Sequence, residues 1–303
     1  MSTSSGKPEG NFSEAELDFI RKAVRFLEQP SLLIQIAATV GKPVEYLLAK
    51  APKEVKDYTA HALKSCMDIA ASTVPINATA GTTIAANDTA GWNAYFHQLA
   101  TVVTGAVGGF FGLPGLALEL PITTGIMFRS IAAIAAEFGF DAQDSGIRFE
   151  CLSVFSYGGP NRSDDAMESS FYSAKAAMAT FVKNAAAFVA GKPPGAIAAA
   201  FANGTADPLV KLIARVAAEF EVAVSEKFVA QCLPLIGAAT GASINAAFTG
   251  YFNSVARYHF GLKKMESIYG EAMVRGIYET ELRKLPISRN KLPKKPPPPN
   301  DAQ

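Results

Sequence analysis

Two long stretches of this chain carry no formal charge. One runs from 89 to 118, between Asp88 and Glu119, and the other from 228 to 256, between Lys227 and Arg257. Segments that exclude Asp, Glu, Lys and Arg over such lengths must be covered, either by the rest of the chain or by lipid. The first contains Gly105–Leu118, 14 residues without a polar side chain, against the roughly 20 that a helix needs to cross a bilayer. Runs of that length form buried core helices or interfacial and re-entrant segments. Gly105, Gly109 and Gly112 recur at i, i+4 and i+7, so they share one helix face against which another backbone can come close. With Phe110 and Phe111 they are the candidate membrane-contact residues of this region. The second stretch repeats the device with Gly237 and Gly241, but Asn245 and the prolines spoil a clean span. The pattern favours a soluble or peripherally attached protein with a concealed apolar centre over an integral membrane protein.

The chain has 303 residues, 49% of them apolar and 18% charged, with a net charge of +1. That length supports one large core. The charge balance gives no field for nucleic acid. The three cysteines Cys66, Cys151 and Cys232 are too scattered for a disulfide framework or a zinc pattern, and read as buried free thiols in a reducing compartment. MSTSSGKPEGNF has no apolar signal-peptide core. The expected location is therefore cytoplasmic, with peripheral membrane association.

In chain order, 1–12 reads as a disordered arm, 13–285 as one helical domain and 286–303 as a basic, Pro-rich tail too polar to pack. Ser13 and Glu16 form a capping box for a first helix that ends before Pro30. A short apolar helix follows over 31–40. Pro52 precedes a charged amphipathic helix running through Ser72, and 75–92 is a loop of small residues. Gly112-Leu-Pro-Gly115 reads as a break. A central helix then spans Leu116–Phe138, with a kink or fresh start at Pro121. Gly139 stops it, and Asp144 or Ser145 caps a helix through Ser156. Asp164 is the expected cap of an Ala-rich helix through Ala190. Gly191–Gly195 reads as a connection, and Asp207-Pro208 opens a helix through Gln231. A last helix covers Tyr269–Lys284. No run alternates as a strand does. The fold class is therefore all-α, a multi-helix bundle of about ten helices around a Gly/Ala-rich centre.

Two blocks carry a family resemblance. The first is ELPITTGIMFRSIAAIAAEFG followed by D-x-x-D-x-x-x-R-x-x-C-L-x-V-F over Asp141–Phe155. The second is LPLIGAATGASINAAFTGYFNSVARYHFGLKKMESIYG over Leu233–Gly270. Together they resemble the EcsC protein family, with weaker similarity extending over roughly 45–275. The loop at 75–92 is looser than the family pattern. The resemblance implies a bacterial protein, membrane-associated or cytoplasmic, from a family named for a gene beside an ABC-type transporter. It implies no defined reaction and supplies no catalytic residues.

The residues themselves show no HExxH, GxSxG, P-loop or GxGxxG signature. No metal or cofactor is expected: His61, His97 and His259 lack ligand spacing, and Asp141, Asp144 and Glu150 match no calcium loop. Glu119 and Arg129 sit in strongly apolar sequence, where an unpaired charge costs several kcal/mol. Glu119 is expected to meet Arg148 or Arg257, and Arg129 to meet Asp141, Asp144 or Glu150. The candidate ligand-binding cluster is thus Glu119, Arg129, Asp141, Asp144, Arg148, Glu150 and His259, suited to a lipid headgroup or another amphiphile. Lys291, Lys294 and Lys295 are candidate contacts to an anionic surface. The resulting expectation is a membrane- or lipid-interacting protein, accessory to a transporter or secretion system. The rival expectation is a hydrolase or transferase on lipid or envelope material, using the buried carboxylates as acid and base.

Overall fold

The computed structural model describes residues 12–28, 54–71, 112–157, 169–232 and 241–285. Every regular element among the described residues is helical. In order they are α1 (Glu14–Leu27), α2 (Val55–Ala71), α3 (Gly112–Glu137), α4 (Ser145–Ser153), a 3-10 turn (Val154–Ser156), α5 (Ser170–Val189), α6 (Pro194–Ala202), α7 (Asp207–Cys232), α8 (Gly241–Tyr269) and α9 (Glu271–Leu282). The all-α class read from the sequence is the observed one.

Several boundaries follow from local chemistry. The Ser13 hydroxyl accepts from the Glu16 amide at 3.3 Å while the Glu16 carboxylate accepts from the Ser13 amide at 2.8 Å, closing the capping box of α1. At the end of α3, Gly139 adopts φ +84°. Its amide bonds the Ala136 carbonyl at 2.9 Å and the Phe140 amide bonds Ala135 at 3.1 Å. That is the Schellman arrangement, and it explains why a glycine stands there.

Four readings of the sequence differ, wholly or in part, from the structure. Gly112-Leu-Pro-Gly115 is not a break, because α3 already starts at Gly112. Pro114 then lies in the first turn, where its missing N–H is no loss. Pro121 lies inside α3 without a fresh start. The cap of α5 is Ser169, whose hydroxyl accepts from the Tyr172 amide at 3.1 Å, rather than Asp164. Gly191–Gly195 is not only a connection: Pro193 and Pro194 serve as N-cap and N1 of the short helix α6. The expected helix at 31–40, the loop at 75–92, and Gly105, Gly109, Phe110, Phe111, Asp164, Lys291, Lys294 and Lys295 lie outside the described residues.

The core sits between α2, α3, α7 and α8. On α7, Leu209, Leu212, Val216, Phe220 and Val224 are fully buried at spacings of three and four, one helical face. Phe155, from the 3-10 turn, packs against Phe220 and Phe252 with ring centroids 4.8 and 5.4 Å apart, and Phe248 lies 5.3 Å from Phe252. Cys66 and Cys151 are buried free thiols, and burial pushes Cys66 up to about 12 and Cys151 higher still.

Helix α1 is laid across α8 and α9 and fastened at both ends. At its start, Phe12 stacks on Tyr269 at 4.1 Å and the Tyr269 hydroxyl donates to Glu16 at 2.9 Å. At its end, the Glu28 carboxylate accepts from both Ser169 and Ser170 hydroxyls at 2.6 Å, from the Ser170 and Phe171 amides at 3.0 and 3.3 Å, and from the Tyr278 hydroxyl at 3.0 Å. A carboxylate at the start of α5 satisfies orphan amides and complements the helix dipole. Between the two ends, Phe19 enters a notch at Gly261, where an added Cβ would lie 2.2 Å from the ring.

Gly261→Ala should therefore lower thermal stability: the clash costs about 1–3 kcal/mol, more than the roughly 1 kcal/mol gained in helix propensity. In a Phe19→Leu background the same change should become neutral or stabilising. Equal effects in both backgrounds, in a double-mutant cycle of melting curves, would mean that the notch is not filled by Phe19.

Candidate functional site

The α3–α4 turn and α4 carry four of the charged candidates, and the two aspartates have local tasks. Asp141 accepts from the Gln143 amide at 2.8 Å, an Asx-type turn, and Asp144 caps α4 by accepting from the Ile147 amide at 3.0 Å. Both aspartates are exposed. Arg148 is buried. Its guanidinium donates to the Ala142 carbonyl at 3.0 Å, to the Gln143 side-chain oxygen at 2.6 Å and to the Ile69 carbonyl at 3.4 Å. Ile69 lies in the last turn of α2, so a cation meets the negative end of that helix. Burial pulls the Arg148 pKa down, with Asp141 opposing that shift. Arg148 thus ties the turn to α2 largely through neutral oxygens.

Glu150 and His259, 109 positions apart, are brought together. His259 Nε2 lies 2.9 Å from Glu150 Oε1, and Lys263 Nζ lies 2.8 Å from Oε2. His259 and Lys263 stand at i and i+4, so one stripe of α8 addresses one carboxylate on α4. The cluster is graded in exposure: the side chain of His259 is 0% exposed, that of Glu150 13% and that of Lys263 30%. Burial alone would raise the Glu150 carboxyl, but the hydrogen bond and charge of His259, with Lys263, bring it down to about 2. The His259 ring lies 5.0 Å from Tyr157, 4.8 Å from Phe260 and 6.0 Å from Phe171. The Tyr157 hydroxyl shares a 2.9 Å hydrogen bond with Ser153, whose own hydroxyl lies 2.7 Å from the Glu150 carbonyl. Burial raises the Tyr157 pKa. His259 Nδ1 is buried with no hydrogen-bond partner among the described residues.

The other candidates are not part of this cluster. Glu119 is buried on α3 and accepts from Thr123 at 3.4 Å. Among the described residues no ion pair joins it to Arg148 or Arg257; Arg257 instead faces Glu137 at 3.2 Å. Arg129 is exposed, and no ion pair joins it to Asp141, Asp144 or Glu150. The reason is a solvent-facing stripe of α3, in which Ile122 is 49% exposed and Arg129 and Ala136 are also exposed. Small and apolar residues on that stripe disguise its exposure in the sequence. Among the described residues no group of three His, Cys, Asp or Glu is placed to hold a metal.

Sequence reasoning missed two features. The first is Lys263, whose signal was its i, i+4 spacing from His259 on α8. The second is the α5–α6 elbow. Helix α6, PGAIAAAFA, has no polar side chain. Yet Pro194, Gly195, Ala196, Ala198, Ala199 and Ala202 are exposed, and only Ile197 is buried. No single described helix is long and apolar enough to cross a membrane. Only α5 with α6 reaches that composition as a pair among the described residues, and the two are bent by 114°.

These features define an all-helical bundle in which the Glu150 carboxylate is tied across helices to a histidine and a lysine, with an apolar elbow exposed among the described residues. Residues 20–264 match the EcsC protein family, and the chain belongs to that family. No curated protein and no solved structure matches the chain.

Two outcomes check the site. Because Glu150 has a lowered folded-state pKa, its contribution is present above the unfolded value near 4.3 and is lost as pH falls toward about 2. Between pH 6 and this acid range, wild type should lose about 3 kcal/mol more unfolding free energy than Glu150→Gln, measured by urea denaturation. Parallel pH profiles would contradict the pairing. Arg129→Met, at an exposed position, should change stability by less than about 0.5 kcal/mol. A loss of about 3 kcal/mol in the same assay would instead reveal a buried partner.

Proposed function

We propose that the protein works at a membrane or lipid surface, held there peripherally, with no catalytic step assigned to it. The observation that carries this reading is α6: a helix apolar around its whole circumference and exposed on most of it. Such a surface is stable in water only at a cost, and that cost falls when apolar lipid or a partner covers it. The bend between α5 and α6 suits an element lying in one leaflet rather than one crossing both.

The tail adds Arg289, Lys291, Lys294 and Lys295. Near an anionic leaflet each basic residue contributes about 1 kcal/mol, enough for weak and salt-sensitive recruitment. A protein held this way is suited to act beside a transporter or secretion component, with Pro293-Lys-Lys-Pro296 as a docking segment. An amphiphilic lipid ligand fits the same reading. Among the described residues the carboxylates of the rival reading do not converge: Asp141 and Asp144 are used by the turn and the cap, while Glu119 lies on a different helix.

Flotation of the full chain with liposomes tests this reading. Co-migration at low salt that weakens as salt rises is expected. Protein that stays at the bottom of the gradient with every lipid composition at low salt would overturn it.

A further inference from the structure

The region from Ser169 to Ala206 contains Lys175, Lys183 and Lys192 but no Asp or Glu. Lys175 is used internally, paired with Glu266. Lys183 and Lys192 are exposed and flank the elbow, one near the end of α5 and one in the turn before α6. Lys192 donates to the Phe188 carbonyl and sits 4.4 Å from the centre of the Phe188 ring, so its charge is held at the end of α5. The first acid after the elbow, Asp207, is paired with Lys211 at 2.6 Å. The elbow therefore presents an apolar helix with two cations beside it and no competing anion in its own segment.

We propose that the α5–α6 elbow docks on an anionic bilayer, with α6 in the headgroup region and Lys183 and Lys192 against lipid phosphates. This rests on the membrane-surface reading and names the partner and the contact. Charge selects the occupant. A second copy docking elbow to elbow would bring Lys183 and Lys192 from both chains together, with no acid in 169–206 to neutralise them. An anionic leaflet supplies the missing charge. Steric access agrees: Gly191 takes φ +72°, turning the chain at the base of the elbow, and a Cβ added at Gly195 meets open space.

The test uses full-length protein and sedimentation with vesicles containing phosphatidylglycerol or pure phosphatidylcholine. The variants are Lys183→Gln with Lys192→Gln, Ala198→Asp, and a chain lacking 286–303. All substituted positions are exposed, and thermal melts confirm folding. Wild type should bind the anionic vesicles and not the neutral ones. The double lysine variant should lose about thirty-fold in partitioning, two charges at about 1 kcal/mol each. Ala198→Asp should lose binding while tail deletion leaves part of it.

If wild type binds and both elbow variants bind equally well, the elbow is overturned while the membrane-surface reading stands. If wild type binds neither vesicle, both fall. If light scattering shows a dimer that Ala198→Asp dissolves, the occupant is a second copy and the bilayer proposal is overturned.

Discussion

The contact between α4 and α8 at Glu150 is the constraint around which the described structure is arranged. A carboxylate cannot sit at the junction of apolar helices unless its charge is answered. Here His259 answers it from the dry side and Lys263 from the wet side. Satisfying Glu150 fixes the rotation of α8, since His259 and Lys263 must both face α4. That rotation places Phe248, Phe252 and Val255 in the core and turns Gly261 toward Phe19. The seat of α1 follows from it. Arg148, two residues before Glu150, ties the same short helix to the end of α2. Helix α4 is therefore a small element with unusual leverage, connecting α2 and α8 through buried Arg148 and half-buried Glu150.

Away from that junction the polar tethers become sparse. Glu28 gathers α1, α5 and α9 at the start of α5, and Glu266 holds Lys175 and the Tyr172 hydroxyl one turn further along. Beyond Lys175, α5 has no ion pair among the described residues, and α6 is held by Ile197 with Ala200 and Phe201 half-buried beside it. One end of α5 is thus fixed by a carboxylate, while the other is held by apolar packing through Ala185 and Val189. Under the proposed membrane-surface role, an apolar tip with few polar tethers can change environment while the globule keeps its fold.

Much of this was legible locally. The capping box at Ser13, the stop at Gly139, the cap at Asp144 and the absence of strand alternation are short-range signals, read within a few residues. The all-α class followed from them. What failed was inference about partners. Arg129 has Phe128 and Ile131 beside it, but both lie on the buried side of α3, and the arginine points away from them. Apolar neighbours in sequence do not place a side chain in the interior of a helix bundle, since adjacent residues are about 100° apart around the axis. Glu150 and His259 were both candidates, yet nothing local joins residues 109 positions apart. In sequence the paired prolines before α6 read as a connection, although Pro at N-cap and N1 is also how a helix begins.

Hydrogen exchange of the native protein, followed by mass spectrometry with and without phosphatidylglycerol vesicles, tests the division between a pinned interior and an open elbow. Amides of α4 and of α8 around His259 should exchange only through global unfolding, at one common rate that vesicles do not change. Amides of α6 should exchange far faster in water and slow markedly when vesicles are added. Protection of α6 equal to that of α4 in water, or α4 exchanging as fast as α6, would contradict it.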